Sequence, residues 1–74
     1  METKDYDLGT RFTYHPPFGD QSHRYEEIRK LGFSFATFLV DDCPPSRELS
    51  LALTKLEEAV MWANAAIARN EKQE

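Results

Sequence analysis

Two histidines and several carboxylates are the side chains of this sequence that could bind a metal ion or transfer protons. His15 and His23 flank Asp20, but no HxxxH or CxxC spacing joins them, and zinc sites are usually built on such spacings. The acidic pairs Glu26-Glu27 and Glu57-Glu58 are adjacent on predicted helices, so their members point in different directions and form solvated faces. We therefore expect neither a metal site nor an acid-base pair.

A nucleophile is also hard to assemble from this sequence. Cys43 lies between Asp41-Asp42 and two prolines, with no base in its sequence context, so we interpret it as a small apolar turn residue. The carboxylates of Asp41-Asp42 fit a helix-ending turn better than acid-base catalysis, and no glycine-rich phosphate loop is present. We expect a protein that is not an enzyme and that needs no cofactor.

A group of aromatic and basic residues in the N-terminal half is better suited to binding. The rings belong to Phe12, Tyr14 and His15. The cations that follow are Arg24, Arg29 and Lys30. Aromatic rings stack on nucleobases and arginine pairs with phosphate oxygens, so this combination suits a nucleotide. Alternatively, the rings pack onto the helices while the cations stay solvated, and residue types alone favour that packing role.

Length and charge restrict the class of protein. A chain of 74 residues forms one small domain of marginal stability, and its single cysteine cannot form an intrachain disulfide, so we expect self-association. The net charge of -4 argues against duplex nucleic acid as a partner but allows a small phosphorylated ligand. Neither a membrane span nor a secretion signal is recognisable, which predicts a cytosolic protein.

The N-terminal region is predicted to be a flexible tail followed by a short arm. Residues 1–10 are polar and acidic, without periodicity. The run RFTY at residues 11–14 favours an extended backbone, and the following His15-Pro16-Pro17 keeps it extended. A helix should begin near Asp20, whose side chain can cap it directly after Gly19.

Apolar residues at three- and four-residue spacing predict a first helix that ends near Val40. The stripe consists of Tyr25, Ile28, Leu31, Phe35, Phe38 and Leu39. Such spacing places them on one face, which we expect to be core. Gly32 within this helix either marks the close approach of another backbone or is simply tolerated.

A second helix is predicted from Ser46, its N-cap, to about Asn70, since Pro44-Pro45 end the first helix. Its apolar residues fall within an arc of roughly 120 degrees. They are Leu49, Ala52, Leu53, Leu56, Ala59, Val60, Ala63 and Ile67. The short connection predicts an all-α fold, an antiparallel two-helix hairpin.

Further apolar residues lie outside these stripes. On the second helix they are Leu51, Met61, Trp62 and Ala65, and on the first helix Phe33 and Val40. A single hairpin can bury only one face of each helix, so a second apolar face on so small a chain predicts a homo-oligomer.

Several runs of residues together resemble a known phage family. They are RFTYHPP at residues 11–17, GDQ at 19–21, RY at 24–25, IR at 28–29, PSRE at 45–48 and LEEAVMWANAAIARN at 56–70. These runs are similar to the phage cyclic-nucleotide sponge family, whose helical hairpin domain is shared by anti-CBASS and Thoeris anti-defence proteins. The resemblance covers residues 11–70, which we assign to the hairpin domain, and leaves residues 71–74 as a flexible tail.

The resemblance implies a function as well as a fold. Members of this family are homohexamers that sequester bacterial immune signals, namely cyclic dinucleotides such as cyclic GMP-AMP, cyclic trinucleotides or cyclic ADP-ribose isomers, without breaking a bond. By resemblance, Tyr14 stacks on a base and Arg29 meets a phosphate, while Phe12, His15 and Arg24 are further ligand-binding candidates. One branch has lysine at the position of Arg29 and lacks the His-Pro-Pro run, which leaves the ligand open.

Asn64 and Arg69 are candidates for a second ligand site. Equally, Asn64 could make a contact at the end of the helix, and Arg69 could interact with the helix dipole. The expected setting is the host cytoplasm, where the protein would block CBASS or Thoeris effectors. The alternatives are a small structural or protein-interaction module without a nucleotide ligand and, less favoured, a hydrolase of the same signals.

Overall fold

The computed structural model describes residues 6–73, and within that range the regular secondary structure is all helical. The helices are α1 (Leu8–Phe12), α2 (Gln21–Asp42) and α3 (Arg47–Asn70). The start of α2 and the end of α3 lie side by side, since Arg24 contacts Glu71, and Gly32 meets Val60 near the helix centres. This pairing confirms the predicted antiparallel hairpin.

The predicted extended arm was wrong for its first two residues, which are helical. Arg11 and Phe12 do not extend but complete α1, which starts after Asp7 in a left-handed conformation with φ 58°. Extended backbone begins only at Thr13 (φ -99°, ψ 139°). Residues 8–10 of the predicted tail are therefore helical, whereas residues 1–5, and residue 74 of the C-terminal tail, lie outside the described residues.

Both hairpin helices begin where the sequence predicted, but only one of them is capped by a side chain. Gly19 turns the chain with φ 57° before Asp20, yet the carboxylate of Asp20 accepts a hydrogen bond from Arg24 instead of capping α2. Ser46 caps α3 as expected, because its Oγ accepts a hydrogen bond from the Leu49 amide at 3.1 Å.

The face of α2 that packs on α3 contains only part of the predicted stripe. Tyr25, Ile28 and Leu39 are half-buried between the helices, but Leu31 is 71 % exposed, and Phe35 and Phe38 are exposed as well. Gly32 brings the helices close together: a Cβ there would lie 2.5 Å from Val60 Cγ2. The close neighbour is thus a side chain of α3.

A single chain leaves most of its apolar surface uncovered. No apolar residue within residues 6–73 is fully buried, and the chain measures 51 × 37 × 13 Å, little more than one helix in thickness. Phe33, Val40, Leu51, Met61 and Trp62 are exposed, as their positions outside the stripes predicted. Ala65 is half-buried instead.

Candidate functional site

A cleft of about 340 Å³ lies where the segment after α1 crosses the start of α2 and the last turns of α3. Three separate parts of the chain line it: Thr13, Tyr14 and His15, then Tyr25 and Arg29, then Asn64, Ala65, Ala68 and Arg69. Five of the seven predicted ligand-binding residues therefore meet in one place.

The first wall is a short stretch of extended backbone that carries Tyr14 and His15. The His15 ring is fixed because its Nε2 lies 2.9 Å from the Thr10 carbonyl oxygen, and a carbonyl can only accept, so Nε2 carries the proton. Tyr14 is 79 % exposed, which leaves its ring accessible for stacking. The two prolines that follow restrict the backbone at the end of this segment.

The second and third walls are helical, and their spacing places the lining residues on one face of each helix. Tyr25 and Arg29 are four residues apart on α2, as are Asn64 and Ala68 on α3. The alanines of α3 leave space between the longer side chains. Arg69 is oriented by Trp62, whose ring centroid lies 5.9 Å from the guanidinium carbon, within the range of a cation-π interaction.

Two polar atoms of the cleft residues are covered by neighbouring atoms and have no hydrogen-bond partner within the described residues. They are the Tyr25 hydroxyl oxygen and Asn64 Oδ1. A buried polar atom left unpaired costs about 1–3 kcal/mol, so both atoms favour a polar partner at the cleft. Tyr25 was not a predicted site residue; its signal was its position one helical turn before Arg29.

The charge of the cleft is opposite to that of the whole chain. Arg29 and Arg69 both line it, and none of the described residues that line it is acidic, although the chain carries a net charge of -4. Two guanidinium groups next to an exposed tyrosine ring can bind phosphate and stack on a base. The arrangement suits an anionic, aromatic ligand.

Arg24, a predicted ligand-binding residue, lies outside this cleft and makes a different contact. Its Nη1 and Nη2 donate to the two carboxylate oxygens of Glu71 at 2.8 and 2.6 Å, and its Nε donates to Asp20 at 3.1 Å. Gln21 Nε2 also donates to Glu71, at 3.0 Å. We call Gln21, Arg24 and Glu71 the terminal clamp.

The hydrogen bonds of the terminal clamp shift the pKa values of its two charged residues. Those from Arg24 and then Gln21 lower the pKa of Glu71 to about 2, and the carboxylate in turn raises the pKa of Arg24. Glu71 therefore remains ionised at any physiological pH. The start of α2 and the end of α3 are joined by charge-assisted hydrogen bonds.

The remaining candidates are not brought to the cleft. Phe12 is 82 % exposed and does not line it. His23 lies 3.4 Å from Glu27 on the outer side of α2, and Cys43 is at the opposite end of the hairpin. Within residues 6–73, no three histidine, cysteine or carboxylate side chains come close enough to bind a metal ion together.

Asn64 and Arg69 were expected to serve a second site, but in the single chain they line the same cleft as Tyr14 and Arg29. The sequence could not show this, because the two pairs are separated by more than thirty residues along the chain. Only the antiparallel packing of α2 and α3 brings them together.

Comparison with known proteins identifies a domain that spans most of the chain. A family model described as the Acb2/Tad1 hairpin domain matches residues 5–68, which include α1, α2 and all but the last residues of α3. Neither the curated proteins nor the solved structures gave a significant match. None of the described helices is long and apolar enough to cross a membrane.

Proposed function

Since the chain belongs to the Acb2/Tad1 hairpin family, we propose that it is a phage sponge that binds and sequesters cyclic nucleotide immune signals. The observation that carries the proposal is the cleft itself, which is lined by the Tyr14 ring and by the guanidinium groups of Arg29 and Arg69. None of the described residues that line it is acidic. A cyclic nucleotide offers the complementary groups, namely bases to stack and phosphates to pair.

The cleft suggests how the ligand is held. The exposed ring of Tyr14 stacks on a base, while Arg29 and Arg69 approach phosphate oxygens from opposite helices. The amide of Asn64 supplies hydrogen bonds to the polar edge of a base or to a ribose hydroxyl. His15, fixed by Thr10, forms the edge of the pocket on the side of the extended segment.

The proposed assembly is a homo-oligomer, a hexamer by the family resemblance. Its support is the exposed apolar surface of a chain only 13 Å thick, with Trp62 56 % exposed and Leu31 and Phe33 still more so. A second copy of the chain is the natural cover for such faces, because each lone hairpin is too thin to bury them. The proposed setting is the cytoplasm of the infected host.

We propose further that the ligand is released unchanged. The polar groups that line the cleft are the hydroxyls of Thr13, Tyr14 and Tyr25, two guanidinium groups, an imidazole and an amide. The imidazole of His15 is bonded to the Thr10 carbonyl and not to a hydroxyl, so it does not form the nucleophile–base pair that phosphodiester cleavage requires. Binding without chemistry lowers the free signal concentration in proportion to the protein supplied, and this keeps the effectors of CBASS or Thoeris inactive.

The test has two stages, the first of which identifies the ligand. A thermal-shift panel of cyclic dinucleotides, cyclic trinucleotides and cyclic ADP-ribose isomers should give a melting temperature that rises with the concentration of the ligand bound by the folded state. The second stage incubates that ligand with excess protein, denatures the protein and separates the products by chromatography. Intact ligand is expected.

Each alternative gives a different result. A hydrolase returns a linear nucleotide, and a protein-interaction module leaves the melting temperature and the free ligand concentration unchanged for every member of the panel. Either result would contradict sequestration.

A further inference from the structure

The terminal clamp lies directly beside the cleft, and we propose that it is a positioning device for ligand binding. By joining Gln21, Arg24 and Glu71, it holds the three walls of the cleft at the spacing that one ligand needs. This inference rests on the proposed function, because it concerns the same site.

The clamp residues are close in sequence to the residues they would position. Glu71 follows Arg69 by two residues, and Arg24 directly precedes Tyr25, which lies one turn before Arg29. A shift of Glu71 relative to Arg24 therefore moves Arg69 relative to Arg29. The ion pair thus helps to set the distance between the two guanidinium groups that would meet phosphates.

Gln21 extends the same network to the extended segment. It is the one fully buried residue of those described, at 2 % exposure, and its Oε1 accepts a hydrogen bond from the Phe18 amide at 3.0 Å. His15 and two prolines lie between Tyr14 and Phe18. The fixed φ angles of the prolines limit how far the segment can move. Gln21 thus joins the wall that carries Tyr14 to the carboxylate of Glu71.

The cleft lies at the end of the hairpin, where helices are held less firmly than at their centres. The last carbonyl groups of a helix lack intrahelical partners, and helix ends open at low free energy. No apolar side chain within residues 6–73 is fully buried, so apolar packing alone does not fix the end of α3. Glu71 directly follows α3 and lies just beyond the matched residues 5–68, so this contact is not part of the stretch that the family model covers.

The experiment compares two substitutions that remove one negative charge each from the C-terminal half of the chain. Glu71→Gln breaks the clamp, whereas Glu58→Gln breaks the exposed Lys55–Glu58 pair, 4.0 Å long, on α3. Arg24→Lys, which keeps the charge but loses the two parallel hydrogen bonds, is the conservative variant. All proteins are first checked for the parent's oligomeric state by light scattering, and binding is measured well below their melting temperatures.

The first readout is amide hydrogen exchange of the ligand-free protein. We expect Glu71→Gln to speed exchange in the last turn of α3 and near Phe18 and to leave exchange in the middle of α3 unchanged. Arg24→Lys should give a smaller increase in the same two regions. The second readout is isothermal titration with cyclic GMP-AMP as the probe. We expect affinity to fall about five- to tenfold in Glu71→Gln, on the scale of coupling between neighbouring sites, and to stay near the parent in Glu58→Gln.

The sign of the affinity change distinguishes positioning from simple electrostatics. Removing a carboxylate near an anionic ligand should tighten binding by Coulomb's law, whereas loss of positioning weakens it. Unchanged exchange, or faster exchange with unchanged or tighter binding, would overturn the proposal. If the parent binds neither cyclic GMP-AMP nor any other signal of the panel, the proposed function fails, and the exchange comparison still decides whether the clamp orders the cleft walls.

Discussion

Replacing Gly32 by alanine tests the helix spacing on which the cleft depends. The new methyl carbon would lie 2.5 Å from Val60 Cγ2, about 1 Å closer than non-bonded carbons normally approach. Val60 cannot easily rotate away, because a β-branched side chain in a helix has one strongly preferred rotamer. The two helices must therefore separate, which also moves Arg29 away from Asn64 and Arg69.

The expected change in stability is the sum of two opposed effects. Alanine gains about 1 kcal/mol over glycine in a helix interior. Overpacking of this kind costs about 1–3 kcal/mol. We therefore expect Gly32→Ala to lower the free energy of unfolding by up to about 2 kcal/mol. In an isolated helix, the same substitution would be stabilising.

Two further variants make the prediction specific. Gly9→Ala places the same methyl group in α1, where nothing lies within 4 Å, so it should not destabilise. In the double variant Gly32→Ala with Val60→Ala the clashing carbon is gone, and the two changes should couple favourably by about 1 kcal/mol or more. The assay is denaturation followed by circular dichroism at a fixed protomer concentration. Stabilisation by Gly32→Ala equal to that of Gly9→Ala, without coupling to Val60, would refute the reasoning.

Three other predictions concern binding, assembly and pH. Tyr14→Ala should lose a base stack of about 1–3 kcal/mol in isothermal titration, while Phe12→Ala, outside the cleft, should bind as the parent does. Trp62→Glu should shift the oligomer towards smaller species in light scattering, because it places a charge on an exposed apolar face. The stability contributed by Glu71 should be present above its ordinary pKa of 4.5 and be lost as the pH falls towards 2.

Each of these has a control within the chain. For binding, Arg29→Ala should also weaken affinity through the lost phosphate pair, and Arg29→Lys should keep part of that affinity, since the charge survives while the planar fork does not. Trp62→Phe should keep the parent's oligomeric state. In Glu71→Gln the acid-dependent loss between pH 4.5 and 2 should be smaller than in the parent, and equal losses would contradict the clamp's role.

The sequence predicted those elements that depend on local signals. Ser46 was identified as the cap of α3 because capping joins residues three apart, and the apolar arc of α3 fixed its length almost to the residue. α1 was missed because five residues without apolar periodicity carry no helical signal, and its start depends on the unusual backbone of Asp7.

The packing face of α2 could not be predicted from periodicity. Regular spacing shows which side of a helix is apolar but not whether its own chain or another covers that side. Here the close contact is made through Gly32, since a small residue lets α3 approach, and the large side chains of Leu31 and Phe35 are left outside. The predicted core stripe therefore combined residues that pack on α3 with residues that the single chain leaves exposed.

The sequence identified several residues of the candidate site but not how they are arranged. Tyr14 and Arg29 carry a chemical signature, and the structure places them in one cleft with Asn64 and Arg69. Gln21 and Glu71 had no such signal, because their hydrogen bond joins residues 50 apart in the sequence. A polar residue buried by a long-range partner looks like any surface residue until the fold is known.

The position of Cys43 offers a means of observing this protein without disturbing its site. Cys43 is the only cysteine of the chain and carries a free thiol at the end of α2. From Tyr25 to Cys43 the helix rises about 27 Å at 1.5 Å per residue, so a dye attached to this thiol lies far from the cleft. A label at the end of α3 would instead lie close to the clamp. Single-site labelling at Cys43 therefore allows energy transfer between protomers to follow the proposed assembly while the cleft stays unmodified.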